Sequence, residues 1–128
     1  MNPICIFGVF VADLCFFGKS IPSRGETILG NKHIVGPGGK GSNQAIAAAR
    51  LGGKVNFITK LGKDTNADMA INLYSQSGIN IEGVIQDANL STGVAGIMID
   101  ENGHNAINIV SGAAAHLAKE DINKNIKI

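Results

Sequence analysis

A run of glycines that leads into an alanine-rich segment, residues 36–52, constrains the fold of this 128-residue chain more than any other feature. Its first six residues hold four glycines, one proline and one lysine, and the next residues predict a helix over 43–51 that ends at Gly52. Glycine has no Cβ, so its backbone can adopt positive φ and approach a bound molecule closely. Because the first N–H groups of a helix lack intrahelical partners, such a helix start can bind an oxygen-rich small molecule.

Two phosphate-binding motifs are possible interpretations of this run. The P-loop pattern fails on residue order, because Lys40 precedes Gly41 and Ser42 instead of standing between a glycine and the hydroxyl. The dinucleotide fingerprint is matched literally by Gly36, Gly38 and Gly41. However, about 35 residues precede the match, whereas the fingerprint normally follows the first strand of its βαβ unit.

The dinucleotide interpretation would also need an acidic residue that binds the ribose about 20 residues further on. Asp64 has roughly that spacing, but its surroundings favour a loop or helix-cap residue. A third interpretation is that the glycine run holds a polar substrate such as a sugar, through N–H groups, Lys40 and Asn43. A tight helix start without any ligand is the remaining alternative.

The order of the surrounding segments predicts an α/β fold. The apolar run 4–10 is typical of a central parallel strand covered on both faces, and Asp13 follows just past its end, where open α/β sheets bind ligands. After the glycine run come a strand over 55–61, a helix that begins near Thr65 and ends at Gly78, and a strand over 79–85. This alternation predicts a parallel sheet flanked by helices.

Two further pairs of strands have no crossover helix and must therefore be antiparallel pairs. The first pair covers 14–17 and 27–35; the second covers 92–99 and 105–110 and is joined by the hairpin signal Asn102-Gly103. We expect the two pairs to form a second, smaller four-stranded sheet. A final helix is expected from Leu117 or Ala118, with Ile122 and Ile126 facing inward.

Composition restricts the class of protein. Hydrophobic residues make up 45% and charged residues 16% of the chain, and the net charge is +1, which is typical of a globular domain. No basic patch with interleaved aromatics occurs, so nucleic acid is not an expected partner. The apolar run 4–10 is far shorter than the ~20 residues that span a bilayer, so we expect a cytoplasmic protein without a membrane partner. Cys5 and Cys15 lack metal-ligand spacing; the two could form a disulfide, but we expect buried, reduced thiols.

Five ordered stretches of the chain together resemble a known family. They are Ala12-Asp13, residues 22–27, the run GPGGKGSNQAIAAARLGG, residues 61–64 and residues 91–95. This pattern resembles the amino-terminal portion of the ribokinase (PfkB-type) family of carbohydrate kinases. The resemblance implies a ribokinase-like α/β fold, in which a parallel sheet flanked by helices carries a small antiparallel β lid. Residues 1–128 would form the amino-terminal part of one kinase domain, with lid strands near 14–35 and 92–110.

The resemblance also implies a function and a site. The family's ATP-dependent enzymes transfer a γ-phosphoryl group to a sugar hydroxyl, and the closest similarity favours ribose; fructose, 2-keto-3-deoxygluconate and nucleosides are alternative substrates. Val11 departs from the pattern, since the family usually has asparagine there. The positions that match the family's sugar-binding residues are Asp13, Gly39, Lys40, Gly41, Ser42 and Asn43, with Ser42 expected to contribute mainly backbone or helix capping.

The family's catalytic aspartate belongs to a Gly-Ala-Gly-Asp motif that this chain does not contain. We therefore expect an amino-terminal fragment with no catalytic residue and no metal ligand of its own, inactive by itself. ATP, Mg²⁺ and a monovalent cation would bind mainly to the missing carboxyl-terminal part. The full-length enzyme is expected to form a homodimer through its lid. A truncated, non-catalytic sugar-binding chain is the alternative from another functional class.

Overall fold

The computed structural model describes residues 2–125, which form seven strands, three α-helices and one short 3-10 helix. The expected inward position of Ile126 lies outside the described residues. In chain order the elements are β1 (Ile4–Phe7), β2 (Val11–Phe17), β3 (Lys32–Gly38), α1 (Lys40–Arg50), β4 (Val55–Leu61), α2 (Thr65–Gln76), β5 (Val84–Gln86), β6 (Val94–Ile99), β7 (Asn105–Val110), the 3-10 helix (Gly112–His116) and α3 (Lys119–Asn125).

The strands β1, β4 and β5 form the predicted parallel sheet, in the order β1-β4-β5. Its core lies where β4 packs against the helices, and Tyr74 of α2 meets the rings of Phe57 and Phe10 edge-on at centroid distances of 5.2 and 6.3 Å. The expectation that the first strand is central and covered on both faces is wrong for residues 2–125. There β1 has a single neighbour, β4, and Ile4 is 43% exposed.

The other four strands form a second sheet in the order β3-β2-β6-β7, which we call the mixed sheet. The two expected antiparallel pairs, β2 with β3 and β6 with β7, are both present. The central pair, β2 with β6, is parallel, which refines the expectation of a purely antiparallel sheet. Between these two strands the chain passes through β3, α1, β4, α2 and β5, and a parallel pair needs a long connection of this kind.

The glycine run is divided between two elements. Its first residues, through Gly38, belong to β3, so the predicted strand 27–35 in fact begins later and ends later. Pro37 is tolerated there because β3 is an edge strand of the mixed sheet, where a missing N–H costs little. Gly39, with φ of 92°, turns the chain from β3 into α1. The helix begins at Lys40, three residues before the predicted start. The sequence pattern predicted a later start because the first turn includes Gly41, and glycine disfavours helix.

Other sequence-based boundaries also shift. The strand expected over 79–85 is reduced to β5 and an isolated bridge between Asn56 and Asn80.

Cys5 and Cys15 are free thiols, but Cys5 is exposed and Cys15 half-buried, so the expectation that both are buried is wrong. Within residues 2–125, no helix has the length and apolar character needed to cross a membrane.

Candidate functional site

A cavity of about 480 Å³ lies between the mixed sheet and the start of α1. Its polar lining comes from Asp13 of β2, from Gly39, Lys40 and Asn43 around the start of α1, and from Ser111 just after β7. The remaining lining is apolar: Val9, Val11, Ala95, Ile97, Ile107, Ile109, Ala114 and Ala115. A mostly apolar hollow with a few polar groups at one side is the usual form of a small-molecule site.

Asp13 lies within β2, not in a loop after a strand as its sequence position indicated. Its backbone pairs with Gly36 on one side and with Ala95 on the other, so the strand holds it rigidly at the cavity. Burial raises the pKa of the Asp13 carboxyl. Among residues 2–125, none donates a hydrogen bond to this carboxylate or forms an ion pair with it. The carboxylate can therefore accept hydrogen bonds from a ligand.

The start of α1 brings the second group of predicted residues to the cavity. Gly39 precedes the helix, while Lys40 and Asn43 lie in its first turn with exposed side chains. The Ser42 N–H donates to the carbonyl oxygen of Val9 at 3.3 Å, and the Asn43 N–H begins the helical pattern by donating to Gly39. The positive end of the helix dipole and the Lys40 ammonium therefore face the same cavity as the carboxylate.

Gly41 is not among the residues that line the cavity. It packs against Gly8, and a Cβ on Gly41 would lie 2.7 Å from the Gly8 Cα, closer than real Cβ atoms approach a neighbour. The reciprocal distance from a Cβ on Gly8 to the Gly41 Cα is 2.8 Å. This glycine pair lets the helix start lie directly on the segment between β1 and β2, and so positions Lys40 and Asn43.

Ser42 also lies outside the cavity lining, because its side chain is fully buried. The Tyr74 hydroxyl donates to the Ser42 Oγ at 2.9 Å, and burial raises the pKa of Tyr74. This hydrogen bond joins α1 to α2 inside the core. The side chain of Ser42 thus contributes to packing, and no side-chain hydrogen bond caps the start of α1.

Sequence reasoning missed several residues of the cavity wall, among them Ile97, Ile107, Ile109 and Ser111. They reach the site through strand register: Asp13 pairs with Ala95, which pairs with Ile109, and Ile97 pairs with Ile107. The alternation along β6 and β7 indicates which residues share a face. Only the pairing of β2 with β6 indicates that this face is the one that carries Asp13.

The dinucleotide interpretation does not fit the geometry. Gly36 and Gly38 lie within an edge strand that is antiparallel to its neighbour, whereas the fingerprint requires a parallel βαβ unit. Asp64, its required acid, instead caps α2 by accepting from the Ala67 N–H at 2.9 Å. A second cavity, of about 310 Å³, lies near Pro22, Glu26 and Met98 and contains none of the predicted site residues.

Several known proteins that are similar to this chain are named as sugar kinases. A deoxyribokinase from Salmonella typhi is 40% identical over 121 residues, which is 94% of this chain and 40% of that protein. The crystal structure of ribokinase from Thermotoga maritima matches with a TM-score of 0.89 and 37% identity, over 98% of this chain and 42% of that one. The structure of Arabidopsis thaliana ribokinase complexed with ribose and ATP matches with a TM-score of 0.79 and 33% identity, over 87% and 36%.

These similarities confirm the ribokinase-like α/β fold expected from the sequence. The chain spans about 40% of the length of the curated relatives that it matches. The model of the pfkB family carbohydrate kinases matches residues 1–128, the whole of the chain. This chain therefore belongs to the pfkB family of carbohydrate kinases.

Proposed function

We propose that this chain forms the sugar-binding part of an ATP-dependent kinase that transfers a γ-phosphoryl group to a sugar hydroxyl, with ribose as the favoured substrate. The observation that carries the proposal is the half-buried Asp13 carboxylate, which faces the cavity and has no hydrogen-bond donor among residues 2–125. The similarity to ribokinases, one of which was solved in complex with ribose and ATP, supports both substrates.

The lining of the cavity suits the chemistry of a sugar. A carboxylate can accept from two adjacent hydroxyls, and hydrogen bonds to an ionised group are about twice as strong as neutral ones. Lys40 and Asn43 supply donors on the side of α1, while the isoleucines of β6 and β7 offer an apolar surface to the C–H face of the ring. Asp13, Gly39, Lys40 and Asn43 are accordingly proposed as direct sugar contacts, and Gly41 and Ser42 as residues that hold the start of α1.

Two observations bear on which sugar the cavity binds. Relatives named ribokinase and deoxyribokinase match the chain with similar identity, 37% and 40%. Val11, which lines the cavity two residues before Asp13, has no polar atom on its side chain. A cavity with valine there can accept a sugar that lacks one hydroxyl, or ribose with one hydroxyl unpaired. Fructose, 2-keto-3-deoxygluconate and nucleosides are the other substrate classes within this family.

We assign no step of phosphoryl transfer to the residues of this chain. Among residues 2–125, no three histidine, cysteine, aspartate or glutamate side chains converge to hold a metal ion. Because the chain spans about 40% of the length of its curated relatives, we propose that ATP, Mg²⁺ and a monovalent cation bind mainly to the part of the kinase that lies outside this sequence. The residues described here bind and orient the sugar, and the 128-residue chain alone should not phosphorylate it.

The mixed sheet is proposed to act as the lid over the sugar and as the surface of a homodimer. Both of its faces carry exposed apolar side chains, including Phe16, Met98 and Ile109, which are 49%, 42% and 57% exposed. Exposed apolar patches of this kind mark interaction surfaces. A dimer by light scattering at micromolar concentration, weakened by Ile109→Glu but not by Leu51→Glu on the far end of α1, would support the proposal. A monomeric full-length protein would contradict it.

The function is tested by replacing Asp13 in the full-length kinase. Asp13→Ala should raise the sugar KM by roughly 10- to 150-fold, because a hydrogen bond to a charged group contributes about 1.5–3 kcal/mol. The KM for ATP should stay unchanged, and Asp68→Asn on the exposed side of α2 is the matched control. Unchanged sugar kinetics in a folded Asp13→Ala variant would refute the assignment, and sugar binding without ATP-dependent phosphorylation would favour a non-catalytic sugar-binding chain.

A further inference from the structure

Gly38, the last residue of β3, lies directly under the carboxylate of Asp13. A Cβ placed on Gly38 would overlap all three atoms of that carboxylate, Cγ, Oδ1 and Oδ2, at separations well under the 3.0 Å that real Cβ atoms keep. The two residues are diagonal neighbours, since Gly38 pairs with Val11 and Asp13 pairs with Gly36. Diagonal side chains on one face of an antiparallel pair are within reach of each other.

The backbone conformation does not explain the glycine at this position. Gly38 has no positive φ, unlike Gly39, so an alanine could adopt the same backbone geometry. The atoms that an alanine would displace belong to the end of a side chain, not to the backbone, so the sheet itself need not move. The carboxylate has to leave, by rotating into another staggered conformation of the Asp13 side chain.

Gly36 offers an internal comparison on the same strand. It is directly opposite Asp13 in the register and also has no positive φ, yet a Cβ placed there would meet nothing within 4 Å. The carboxylate therefore leans away from Gly36 and over Gly38. The space that the carboxylate occupies exists because Gly38 has no side chain.

From this geometry we infer that Gly38 is a positioning residue for sugar recognition: its missing side chain holds open the space in which the Asp13 carboxylate faces the cavity. The inference rests on the proposed role of Asp13 as a sugar contact. Any larger residue at position 38 turns the carboxylate away from the sugar while it leaves β3, the cavity wall and α1 in place.

The test is a pair of alanine variants in the full-length kinase, each made with and without Asp13→Ala. Gly38→Ala should raise the sugar KM by roughly tenfold or more, approaching the effect of Asp13→Ala, because the same charged hydrogen bonds are lost. Gly36→Ala should change the sugar KM by less than about twofold, since it meets no neighbour. Neither variant should alter the KM for ATP.

The double variant separates positioning from a general structural effect. If Gly38 acts through the carboxylate, Gly38→Ala should have no further effect on the sugar KM in the Asp13→Ala background, as expected for two coupled sites. Equal losses in both backgrounds, or sugar kinetics of Gly38→Ala like those of Gly36→Ala, would overturn the inference.

Thermal unfolding of wild type, Gly38→Ala, Asp13→Ala and their double variant gives a readout that does not depend on sugar binding. Any loss of Tm caused by Gly38→Ala should disappear when Asp13→Ala removes the carboxylate, and if Gly38→Ala fails to fold, Asp13→Ala should restore folding. A Tm loss or folding failure that persists without the carboxylate counts against the inference. If Asp13→Ala alone leaves sugar kinetics unchanged, the proposed function fails, while the Tm comparison still decides whether Gly38 makes room for Asp13.

Discussion

The Asp64 carboxylate accepts a hydrogen bond from the backbone N–H of Thr92 at 2.7 Å, and so joins the start of α2 to the segment that leads into β6. Its other oxygen accepts from the Ala67 N–H in the first turn of α2. The Thr92 hydroxyl in turn accepts from the Gly62 N–H at 2.9 Å in a buried position. These bonds connect the parallel sheet to the mixed sheet at the base of the strand that lines the cavity.

Replacing Asp64 should therefore destabilise the kinase without removing a sugar contact. Asp64→Ala loses a helix cap and a charge-assisted bond, so the free energy of unfolding should fall by about 2–3 kcal/mol. Urea denaturation of the full-length protein measures this loss. Asp68→Asn, an exposed acid in the same first turn, is the control and should have almost no effect.

The same carboxylate should make stability depend on pH in a defined direction. Burial raises the pKa of Asp64, but the hydrogen bonds from Thr92 and Ala67 more than offset it, so the pKa lies below its ordinary value of 3.8. A lowered pKa in the folded state stabilises the protein above the unfolded pKa, and this contribution is lost as pH falls through the folded pKa. The stability difference between wild type and Asp64→Ala should thus shrink below about pH 4; an undiminished difference at pH 2 would contradict the assignment.

Tyr74→Phe tests whether Ser42 acts in packing or in substrate binding. The change removes the donor to Ser42 and should cost about 1 kcal/mol of unfolding free energy, while the sugar KM stays the same. Ser42→Ala should cost about 1–3 kcal/mol, because it leaves the buried Tyr74 hydroxyl without its acceptor. The double variant should lose less unfolding free energy than the sum of the losses of the two single variants. If Ser42→Ala raised the sugar KM and left stability normal, Ser42 would instead act in sugar binding.

Asp13 should show opposite effects on stability and on sugar binding. Because burial raises its folded pKa, ionised Asp13 destabilises the free protein above that pKa, and protonation relieves the penalty as pH falls. Asp13→Asn should therefore increase the Tm of the sugar-free kinase at neutral pH and weaken sugar binding in the same variant. Differential scanning calorimetry with and without sugar measures both. A lower sugar-free Tm for Asp13→Asn would show that the carboxylate stabilises the fold.

Much of this architecture follows from local sequence signals. The Asn102-Gly103 signal between two strand-like segments predicted a hairpin that the structure contains, and the alanine-rich run predicted α1. Element boundaries near glycine were less predictable. Gly36 and Gly38 look like loop residues, yet both lie in β3. A Cβ on Gly38 would overlap the Asp13 carboxylate, whereas a Cβ on Gly36 would meet nothing within 4 Å.

The candidate site was only partly predictable for a related reason. Asp13, Lys40 and Asn43 have polar side chains in a recognisable order, so sequence could indicate them. The isoleucines of the cavity wall look like ordinary core residues until the parallel pairing of β2 with β6 fixes which face they share with Asp13. That pairing joins segments about 80 residues apart and leaves no local trace in the sequence. The burial of Ser42 against Tyr74 likewise depends on how α1 packs against α2.

Val11 should influence which sugar the kinase prefers. Its side chain lines the cavity on the same face of β2 as Asp13, where the family usually has an asparagine. Asparagine would supply one donor and one acceptor to a sugar hydroxyl, whereas valine supplies neither. A site built to bind a hydroxyl discriminates strongly against sugars that lack it, and an apolar replacement relaxes that discrimination.

We therefore expect Val11→Asn in the full-length kinase to increase the ratio of kcat/KM for ribose to kcat/KM for 2-deoxyribose by roughly fivefold, which corresponds to the ~1 kcal/mol net contribution of one hydrogen bond. A panel that includes ribose and 2-deoxyribose, measured on both proteins, tests this. Val11 is only 9% exposed, so the asparagine can also destabilise the fold, but a ratio of kcat/KM values for two sugars on one enzyme cancels that effect. Val35→Asn makes the same chemical change on the opposite face of the mixed sheet and should leave the ratio unchanged. If Val11→Asn folds normally and the order of preference does not move, Val11 packs against the core without contacting the sugar, and the substrate is selected by Asp13, Asn43 and the residues around them.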